Sequence, residues 1–579
     1  ANEKQVLESH TKTPGVLTKL VAVSGQPFLQ ALNVRNPQRG KTPKNRHVRF
    51  TIQENINQGD ILLLILWVKG IQGERLYGHT SCIVEQNHQP FKKSLNHTYH
   101  PGAEWQQLVL PFEAKANHPA LQADFLIYLG YQKQELEIAG LALLNFGSAK
   151  YTLNDMPRST PHPFYSGWQK NAPWRQAAYQ RIEKHRKGML TVQVQDANRQ
   201  PIPGATVAVK MHQHEFGFGT AVRLPFYVKN KPAAKKYREK VWNVNGDGRT
   251  FNLFIPENSL KWPFWERFRW PISHDEIVAF IKQARERGIK IRGHDLLWGG
   301  WVDLPRRLKE HSSDPIYIRK EIRQRVLDMA GYEGLKGNVN YWNVINEPLH
   351  KVDLERVFNR PPGYLHELAE LFRLAKEADP RAKTYVNEYG FLSNGGMNLI
   401  LQERYRKLVR EIEKRGGPVD GVSFQAHMNV RLTPPEVVYQ ILEEFAVLGK
   451  EMGITEYDVV GVNEKLAGDY LRDFLTIIFS YPKMNHFNMW GFWDGAQWLN
   501  NAPMFDKKFR LKPAGKAFLD LVFNEWWTSE TGRTNSAGEL AVNGFFGTYD
   551  IEVQYNGRTE TKRIQHTALG QPAKVVIDF

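Results

Sequence analysis

Two glutamates at the ends of apolar runs are the residues whose type and placement point most directly to chemistry. Residues 341–348 begin as a buried strand is expected to begin and stop at Asn346-Glu347, because the proline that follows cannot continue a central strand. A similar run over residues 453–458 contains Glu456. Carboxylates at the ends of two buried strands can serve as the acid and the nucleophile that flank a bond in glycoside hydrolysis. For either glutamate alone, an ordinary salt bridge at a strand end explains the pattern equally well; the two together favour catalysis.

The elements around these glutamates alternate between short apolar runs and helical patterns, which predicts a parallel sheet with helical crossovers. Capping signals mark several helices, such as the capping box at Ser273 and Glu276 and the N-cap Asp314 before a proline. Eight runs with strand character predict a (β/α)8 TIM barrel. An open doubly wound sheet is the alternative, although no glycine-rich nucleotide loop follows the first strand. The predicted strands are 215–221, 250–255, 290–297, 340–346, 383–387, 421–425, 451–455 and 486–491.

Polar and aromatic residues follow almost every predicted strand, at the end of a barrel where active sites form. In strand order they are Glu257, Asn258 and Lys261; His294 and Trp298; Asn346 and Glu347; Gln425 and His427; Glu456 and Asp458; and Trp490 and Trp498.

These residues stand in six motifs that resemble glycoside hydrolase family 10, the family of endo-β-1,4-xylanases. The resemblance covers about residues 213–525 and implies a retaining mechanism, with Glu347 as general acid/base and Glu456 as nucleophile. The motifs are Glu-Asn-x-x-Lys-Trp from 257, Gly-His-x-Leu-x-Trp from 293, Trp-Asn-Val-x-Asn-Glu from 342, Gln-x-His from 425, Ile-Thr-Glu-x-Asp from 454 and Trp-Gly-x-x-Asp-x-x-x-Trp from 490.

The resemblance also implies supporting roles. Asn346 would hydrogen-bond the sugar 2-hydroxyl, and His427, held by Asp458, would keep the nucleophile ionised and oriented. Substrate contacts are expected from Glu257, Asn258, Lys261, His294, Trp298, Gln425, Trp490 and Trp498. For Lys261 and His294 a structural hydrogen bond is the alternative, and for Trp262, Trp342 and Trp493 packing is favoured over substrate contact. No spacing of His, Asp or Glu resembles a metal-ligand set, so we expect neither metal nor cofactor.

The sequence departs from the family pattern after the third strand. The family usually continues Trp-His-Ser-Gln-x-Pro, whereas Gly299, Gly300 and Trp301 follow Trp298 here. Asn387-Glu388 also replaces a more usual Asn-Asp. These changes leave the two glutamates in place but alter the expected glycone recognition. The main hypothesis is therefore hydrolysis of xylan, with a decorated or acidic xylan or another β-glycan as the alternative, and a non-catalytic polysaccharide-binding protein as the alternative from another class.

The segments outside the barrel are predicted from their turn and strand signals. Residues 1–150 are expected to form an all-β sandwich, a candidate carbohydrate-binding unit, followed by a connector over 151–188. Residues 189–212 are expected to form a β-hairpin that leads into a catalytic barrel over 213–528. Residues 529–579 are expected to form a small β appendage that pairs with the hairpin near residues 189–210, and no function is apparent in it.

The composition of the chain limits the remaining classes of function. The chain has 579 residues, a formal charge of +17 and one cysteine, Cys82, which excludes an intrachain disulfide. The basic residues are spread beside acidic ones without a nucleic-acid motif, so attraction to an acidic polysaccharide is favoured over nucleic-acid binding. No apolar run is long enough to span a membrane. We expect a monomer that is secreted, periplasmic or at the cell surface, although no signal peptide is visible at Ala1.

Overall fold

The computed structural model describes residues 3–75, 78–159, 165–266, 272–570 and 573–579. Its backbone divides into two compact units, Ala1–Ser166 and Gly167–Phe579. Within the described residues, no helix is long and apolar enough to cross a lipid bilayer.

The first unit is a β-sandwich, as predicted. Apolar side chains from two five-stranded antiparallel sheets form one core, with Phe125 and Ile127 contributed by one sheet and Leu64 and Ile138 by the other. Cys82 lies in this core, where burial raises the pKa of its thiol to about 12 and makes it an inert packing residue. In spatial order the sheets are Thr11–Lys12, His47–Thr51, Ala123–Tyr128, Thr80–Gln86 and Lys93–Tyr99; and Leu17–Ala22, Gln30–Asn36, Gln134–Asn145, Ile61–Gly73 and Gln106–Glu113.

The second unit contains the predicted TIM barrel. Its eight strands run parallel, each pairs with the next, and pairing of Arg292 with Tyr341 joins the third strand to the fourth. The third and sixth strands resume after short interruptions, at Leu297–Trp298 and His427–Met428. The strands are β1 (Gly217–Ala221), β2 (Leu253–Ile255), β3 (Lys290–Gly293), β4 (Tyr341–Asn346), β5 (Lys383–Glu388), β6 (Gly421–Phe424), β7 (Glu451–Val459) and β8 (Met484–Met489).

The helices between these strands begin at the predicted capping signals. The Ser273 hydroxyl accepts a hydrogen bond from the Glu276 amide, the Glu276 carboxylate accepts one from the Ser273 amide, and Asp314 caps the amides of Ile316 and Tyr317. The described α-helices of the barrel are Leu224–Tyr227, Pro232–Trp242, Trp262–Trp265, His274–Glu286, Arg306–Glu310, Pro315–Ala330, Asp353–Val357, Tyr364–Ala378, Leu399–Lys414, Pro435–Ala446, Glu464–Ser480 and Pro513–Asp520.

The predicted hairpin over residues 189–212 is wrong. Lys187–Gln195 lies between Glu539–Phe545 and Ala573–Asp578, whereas Thr206–His214 belongs to a separate sheet with Ser529–Arg533, Gly547–Tyr555 and Arg558–His566. In the described residues the two strands share one isolated bridge, between Gln195 and Pro201. Prolines in the connecting turn lack the amide hydrogens that a hairpin ladder needs, and the C-terminal segment supplies the partners instead. The helix that precedes them is Pro173–Arg186.

Glycines make room for large side chains inside the barrel. A Cβ atom on Gly453 of β7 would lie 2.0 Å from Cε1 of His486, and one on Gly421 of β6 would lie 2.1 Å from Cε1 of Tyr385. His486 and Tyr385 are both fully buried. Because a packed interior cannot move aside by the distance required, these positions admit no larger residue without a shift of the strands.

We predict that Gly453→Ala lowers the free energy of unfolding by about 1–3 kcal/mol, since it overpacks the interior against His486. Urea denaturation of the full chain measures the change. In the double variant Gly453→Ala/His486→Ala the imidazole is gone, so the combined loss should be smaller than the sum of the single losses. Strictly additive losses would show that the imidazole is not what the new methyl group meets.

Candidate active site

The C-terminal ends of the barrel strands bring the predicted residues together. Glu347 follows β4 directly, with a left-handed backbone φ of +52°. Glu456 lies within β7, and its amide hydrogen-bonds the carbonyl of Gln425 at the end of β6. Both glutamate side chains are buried. Two carboxylates therefore share one dry region of the barrel mouth.

Glu347 is held by two neutral donors. Gln425 Nε2 donates to Oε1 over 2.8 Å, and Trp298 Nε1 donates to Oε2 over 3.1 Å. Burial raises the pKa of this carboxyl to about 7, with the hydrogen bond from Gln425 opposing it and the negative charge of Glu456 adding to it. Near neutral pH Glu347 can therefore both give and take a proton.

Glu456 has the opposite electrostatic setting. Asn387 Nδ2 donates to Oε1 over 2.8 Å, and His427 Nε2 lies 3.4 Å from Oε2. Burial alone would raise the pKa of this carboxyl, but the hydrogen bond from His427 and nearby positive charge, including Lys261, lower it to about 2. Glu456 is thus an anion over the whole physiological pH range.

His427 is charged because it sits between two carboxylates. Its Nδ1 donates to Asp458 Oδ1 over 2.9 Å, opposite the contact with Glu456. Burial disfavours the imidazolium, yet Asp458 and Glu456 outweigh it and raise the pKa of His427 to about 10. Asp458 is held in turn by Trp498 Nε1 over 2.8 Å. The row Trp498–Asp458–His427–Glu456 fixes the orientation of the ionised glutamate.

Asn387 at the end of β5 was missing from the predicted site, although it connects the two halves. Its Nδ2 donates to Glu456 and, over 2.9 Å, to Asn346 Oδ1. Its Oδ1 accepts from Ser423 over 2.9 Å and from Thr455 over 2.8 Å. All four hydrogen-bonding positions of the amide are used, so Asn387 fixes Asn346 relative to Glu456. Its position at a predicted strand end was the one sequence signal that pointed to it.

The expected glycone floor lies on the other side of Glu456. Lys261 Nζ lies 4.6 Å from the ring centroid of Trp298 and 5.7 Å from that of Trp490. His294 is buried and its pKa falls to about 3, so it is neutral; its Nδ1 is 3.1 Å from Asn343 Nδ2. Next to them, the Asn258 amide donates to the Glu257 carboxylate over 3.3 Å.

The tryptophans at this end of the barrel differ in how far their side chains are exposed to solvent. Trp262, Trp342 and Trp493 are buried and pack within the barrel. Trp490 is also mostly buried, whereas Trp498 is 54% exposed. The indole N–H of Trp298 donates to Glu347, so that edge of the ring is occupied by the carboxyl.

The departures after β3 make room for an ion pair near Glu347. A Cβ on Gly300 would lie 2.7 Å from Asp303 Oδ2 and 2.9 Å from Lys351 Cδ. Lys351 Nζ and Asp303 Oδ2 are 2.8 Å apart, and Nζ lies 4.9 Å from the Trp298 ring centroid. Trp301 is held through its amide, which donates to Asp353 over 3.0 Å. A side chain at position 300 would displace this pair.

Glu388, the second departure, has a structural role. Its carboxylate accepts hydrogen bonds from the amides of Leu349 and Tyr389, over 2.8 and 2.9 Å, and Oε1 is 2.8 Å from His350 Nδ1. It therefore ties β5 to the turn that carries Glu347.

Comparison with protein families decides the identity of the barrel. The family model described as "Glycosyl hydrolase family 10" matches residues 210–521 of the sequence, more than half of the chain. The chain belongs to glycosyl hydrolase family 10. The resemblance and the fold predicted from the six motifs are confirmed.

This family 10 chain is 30% identical over 388 residues to "Anti-sigma-I factor RsgI6" of Acetivibrio thermocellus, covering 66% of this chain and 47% of that protein. It is 25% identical over 391 residues to "Endo-1,4-beta-xylanase 2" of Arabidopsis thaliana, covering 65% of this chain and 33% of that protein. It therefore spans half or less of the length of these two relatives. A crystal structure of xylanase 10B from Thermotoga petrophila RKU-1 in complex with xylobiose is similar with a TM-score of 0.45 and 23% identity, covering 54% of this chain and 95% of that chain.

We predict that Gln425→Leu raises the pKa of the Glu347 carboxyl above about 7, because it removes the hydrogen bond that favours the ionised form. The pKa can be followed by NMR of protein labelled with 13C at the glutamate carboxyl carbon, with Glu347→Gln identifying the resonance. Gln497→Leu is the matched control, since Gln497 donates to Asp458 over 3.2 Å and not to Glu347. A pKa of Glu347 that stays constant or falls in Gln425→Leu would contradict the assignment.

Proposed function

We propose that this family 10 chain is a retaining, endo-acting glycoside hydrolase that cleaves β-1,4-xylosidic bonds of xylan. The observation that carries the proposal is the pair of buried carboxyls whose pKa values are moved apart, to about 7 for Glu347 and about 2 for Glu456. One acid that keeps its proton beside one permanent anion is what double displacement requires. The names of xylanase relatives support xylan as the substrate.

In the first step Glu456 attacks the anomeric carbon while Glu347 protonates the departing glycosidic oxygen. The bond to that oxygen breaks with its electron pair, and a covalent glycosyl-enzyme forms on Glu456. His427 and Asn387 hold the attacking carboxylate, and Trp298 and Gln425 hold the acid. The Oδ1 of Asn346 is taken up by Asn387 and Asn343, which leaves the Nδ2 group to donate to the sugar 2-hydroxyl.

In the second step Glu347, now ionised, removes a proton from water as that water attacks the anomeric carbon. Glu456 departs as a carboxylate, and the product has the configuration of the substrate. Because the same residue gives and then takes a proton, a pKa near neutrality serves both half-reactions. The charge on His427 stabilises Glu456 each time it is released as an anion.

Location and assembly belong to the same proposal. A polysaccharide does not cross a membrane, so we propose that the protein acts outside the cytoplasm. We also propose that it is a monomer and that its N-terminal sandwich is a candidate carbohydrate-binding unit.

A non-catalytic polysaccharide-binding role is the second candidate. The name "Anti-sigma-I factor" of one relative favours it, since that name describes regulation rather than hydrolysis. Such a binder needs the glycone floor but has no need of a glutamate kept protonated near neutral pH. Binding of xylan without release of reducing ends over a long incubation would favour this candidate.

We predict that Glu456→Ala lowers kcat on xylan by a factor on the order of 10⁴ or more, because no covalent intermediate can form. Glu347→Ala should lose about 10²–10⁴-fold on xylan and much less on an aryl xyloside, whose leaving group needs no proton. Initial-rate assays on both substrates measure the difference. Wild-type turnover of xylan by either variant would contradict the assignment. Initial release of the inverted anomer by the wild type, observed by NMR, would also contradict it.

We also predict the shape of the pH profile. The productive form has Glu456 ionised and Glu347 protonated, so kcat/KM should be high between about pH 2 and about pH 7 and fall as pH rises through the pKa of Glu347. The profile is measured by initial rates on a xylo-oligosaccharide, because its leaving oxygen needs the proton that Glu347 gives. In Glu347→Gln the alkaline limb should disappear from the residual activity, since the titrating group is gone. An alkaline limb that persists unchanged would show that another group controls it.

A further inference from the structure

A cavity of about 320 Å³ lies beyond the expected glycone floor. Three loops at the C-terminal ends of strands form it, those that follow β1, β2 and β8. Its lining includes Arg223, Phe226, Lys229, Glu257, Asn258 and Gly495. None of the expected roles in hydrolysis uses Arg223, Phe226 or Lys229.

The cavity adjoins the expected glycone floor. Glu257 and Asn258 form its wall and also belong to the expected glycone floor. The Lys261 amide donates to the Asn258 carbonyl over 3.2 Å, and Lys261 Nζ lies 4.6 Å from the ring centroid of Trp298, whose indole N–H donates to Glu347. A substrate whose scissile bond lies at Glu456 can therefore extend a substituent into this cavity.

Two exposed cations, Arg223 and Lys229, line the cavity. In the described residues the Arg223 guanidinium donates to the Ala496 carbonyl over 3.3 Å, and Lys229 Nζ lies 5.8 Å from the Phe226 ring centroid. Both side chains are exposed, and neither is in an ion pair within the part of the chain that the structure describes. An arginine with free donors is suited to a carboxylate, which it can bind through two parallel hydrogen bonds.

Glu257 is the one acidic side chain among the described residues that line the cavity. Glu257 is buried, and burial raises its pKa, with Arg223 and Lys261 acting in the opposite direction. The lining of the cavity therefore has two exposed basic side chains and a single carboxyl group. The formal charge of +17 on the whole chain adds a long-range attraction for a polyanion. Neutral sugar hydroxyls gain little from such a field, whereas an anionic sugar gains from both the local and the distant charge.

We propose that this cavity is a subsite for an acidic branch, and that Arg223 with Lys229 binds the carboxylate of a uronosyl group attached to the glycone part of the xylan chain. The Phe226 ring lines the same cavity and supplies apolar surface beside the sugar. This inference rests on the proposed hydrolysis of xylan and adds the class of decoration that the enzyme prefers.

The test compares a linear xylo-oligosaccharide with the same oligosaccharide that carries one glucuronosyl branch toward its non-reducing end. The wild type should have the higher kcat/KM on the branched substrate, and Arg223→Met should lower the branched-to-linear ratio by about tenfold. Arg223→Lys should keep part of the preference, since it retains the charge but not the bidentate geometry. Higher salt should weaken the wild-type preference.

Arg558→Met is the matched control, because it removes the same charge from an exposed position in Arg558–His566, outside the barrel. It should leave the ratio at the wild-type value. An equal ratio in wild type and Arg223→Met would overturn the proposal, as would an equal loss in Arg558→Met.

Binding measurements separate this proposal from that of hydrolysis. Calorimetry on full-length Glu456→Gln should show tighter binding of the branched than of the linear oligosaccharide, and Arg223→Met in that background should remove the difference. If the wild type cleaves neither compound but this difference is found, hydrolysis is wrong and the subsite stands. If the wild type cleaves both and no difference in binding is found, the subsite is wrong and hydrolysis stands.

Discussion

Two carboxyl groups buried in one mouth of a barrel cannot both be ionised without a compensating charge, and the arrangement of the site follows from this constraint. His427 supplies that charge to Glu456 alone, through a contact of 3.4 Å, and Asp458 on its far side keeps the imidazole protonated. Glu347 receives only neutral donors, from Gln425 and Trp298. The positive charge of His427, with a contribution from Lys261, thus lowers the pKa of Glu456 but not that of Glu347, and the two carboxyls are suited to different chemical roles.

The backbone of β7 holds these charged groups in fixed positions. Glu456 and Asp458 stand two positions apart on one strand, so both side chains leave the strand on the same face. His427 pairs with Asp458 in the register of the neighbouring segment, which places its ring beside both acids. Inside the barrel, Gly453 lets β7 approach His486 closely, so the same strand that carries the charges is also fixed by packing. The packing of the barrel interior and the charges of the candidate site therefore both depend on β7.

Periodicity and motif spacing were sufficient to predict the barrel, because hydrophobic runs, caps and strand-end residues are local signals. The same signals wrongly paired the two strands of residues 189–212 with each other, although they did indicate the C-terminal segment, more than 300 positions later, as a partner. They also missed Asn387 and the Lys351–Asp303 pair, whose roles depend on which side chains meet across strands. Residue type and spacing thus located the ends of the strands, whereas the hydrogen bonds between those ends required three-dimensional geometry.

The pairing of Gln195 with Asp578, 383 positions apart, has a consequence for synthesis of the protein on the ribosome. Lys187–Gln195 emerges before the barrel, yet its partners Glu539–Phe545 and Ala573–Asp578 are translated only after the barrel. Throughout that interval the strand has unpaired edges, which invite pairing with another nascent chain. Once the C-terminal strands arrive, the segments on either side of the barrel are joined, and the barrel can no longer fray from a free end. The strands that follow the barrel thus act as a latch that closes only after the barrel itself has been translated.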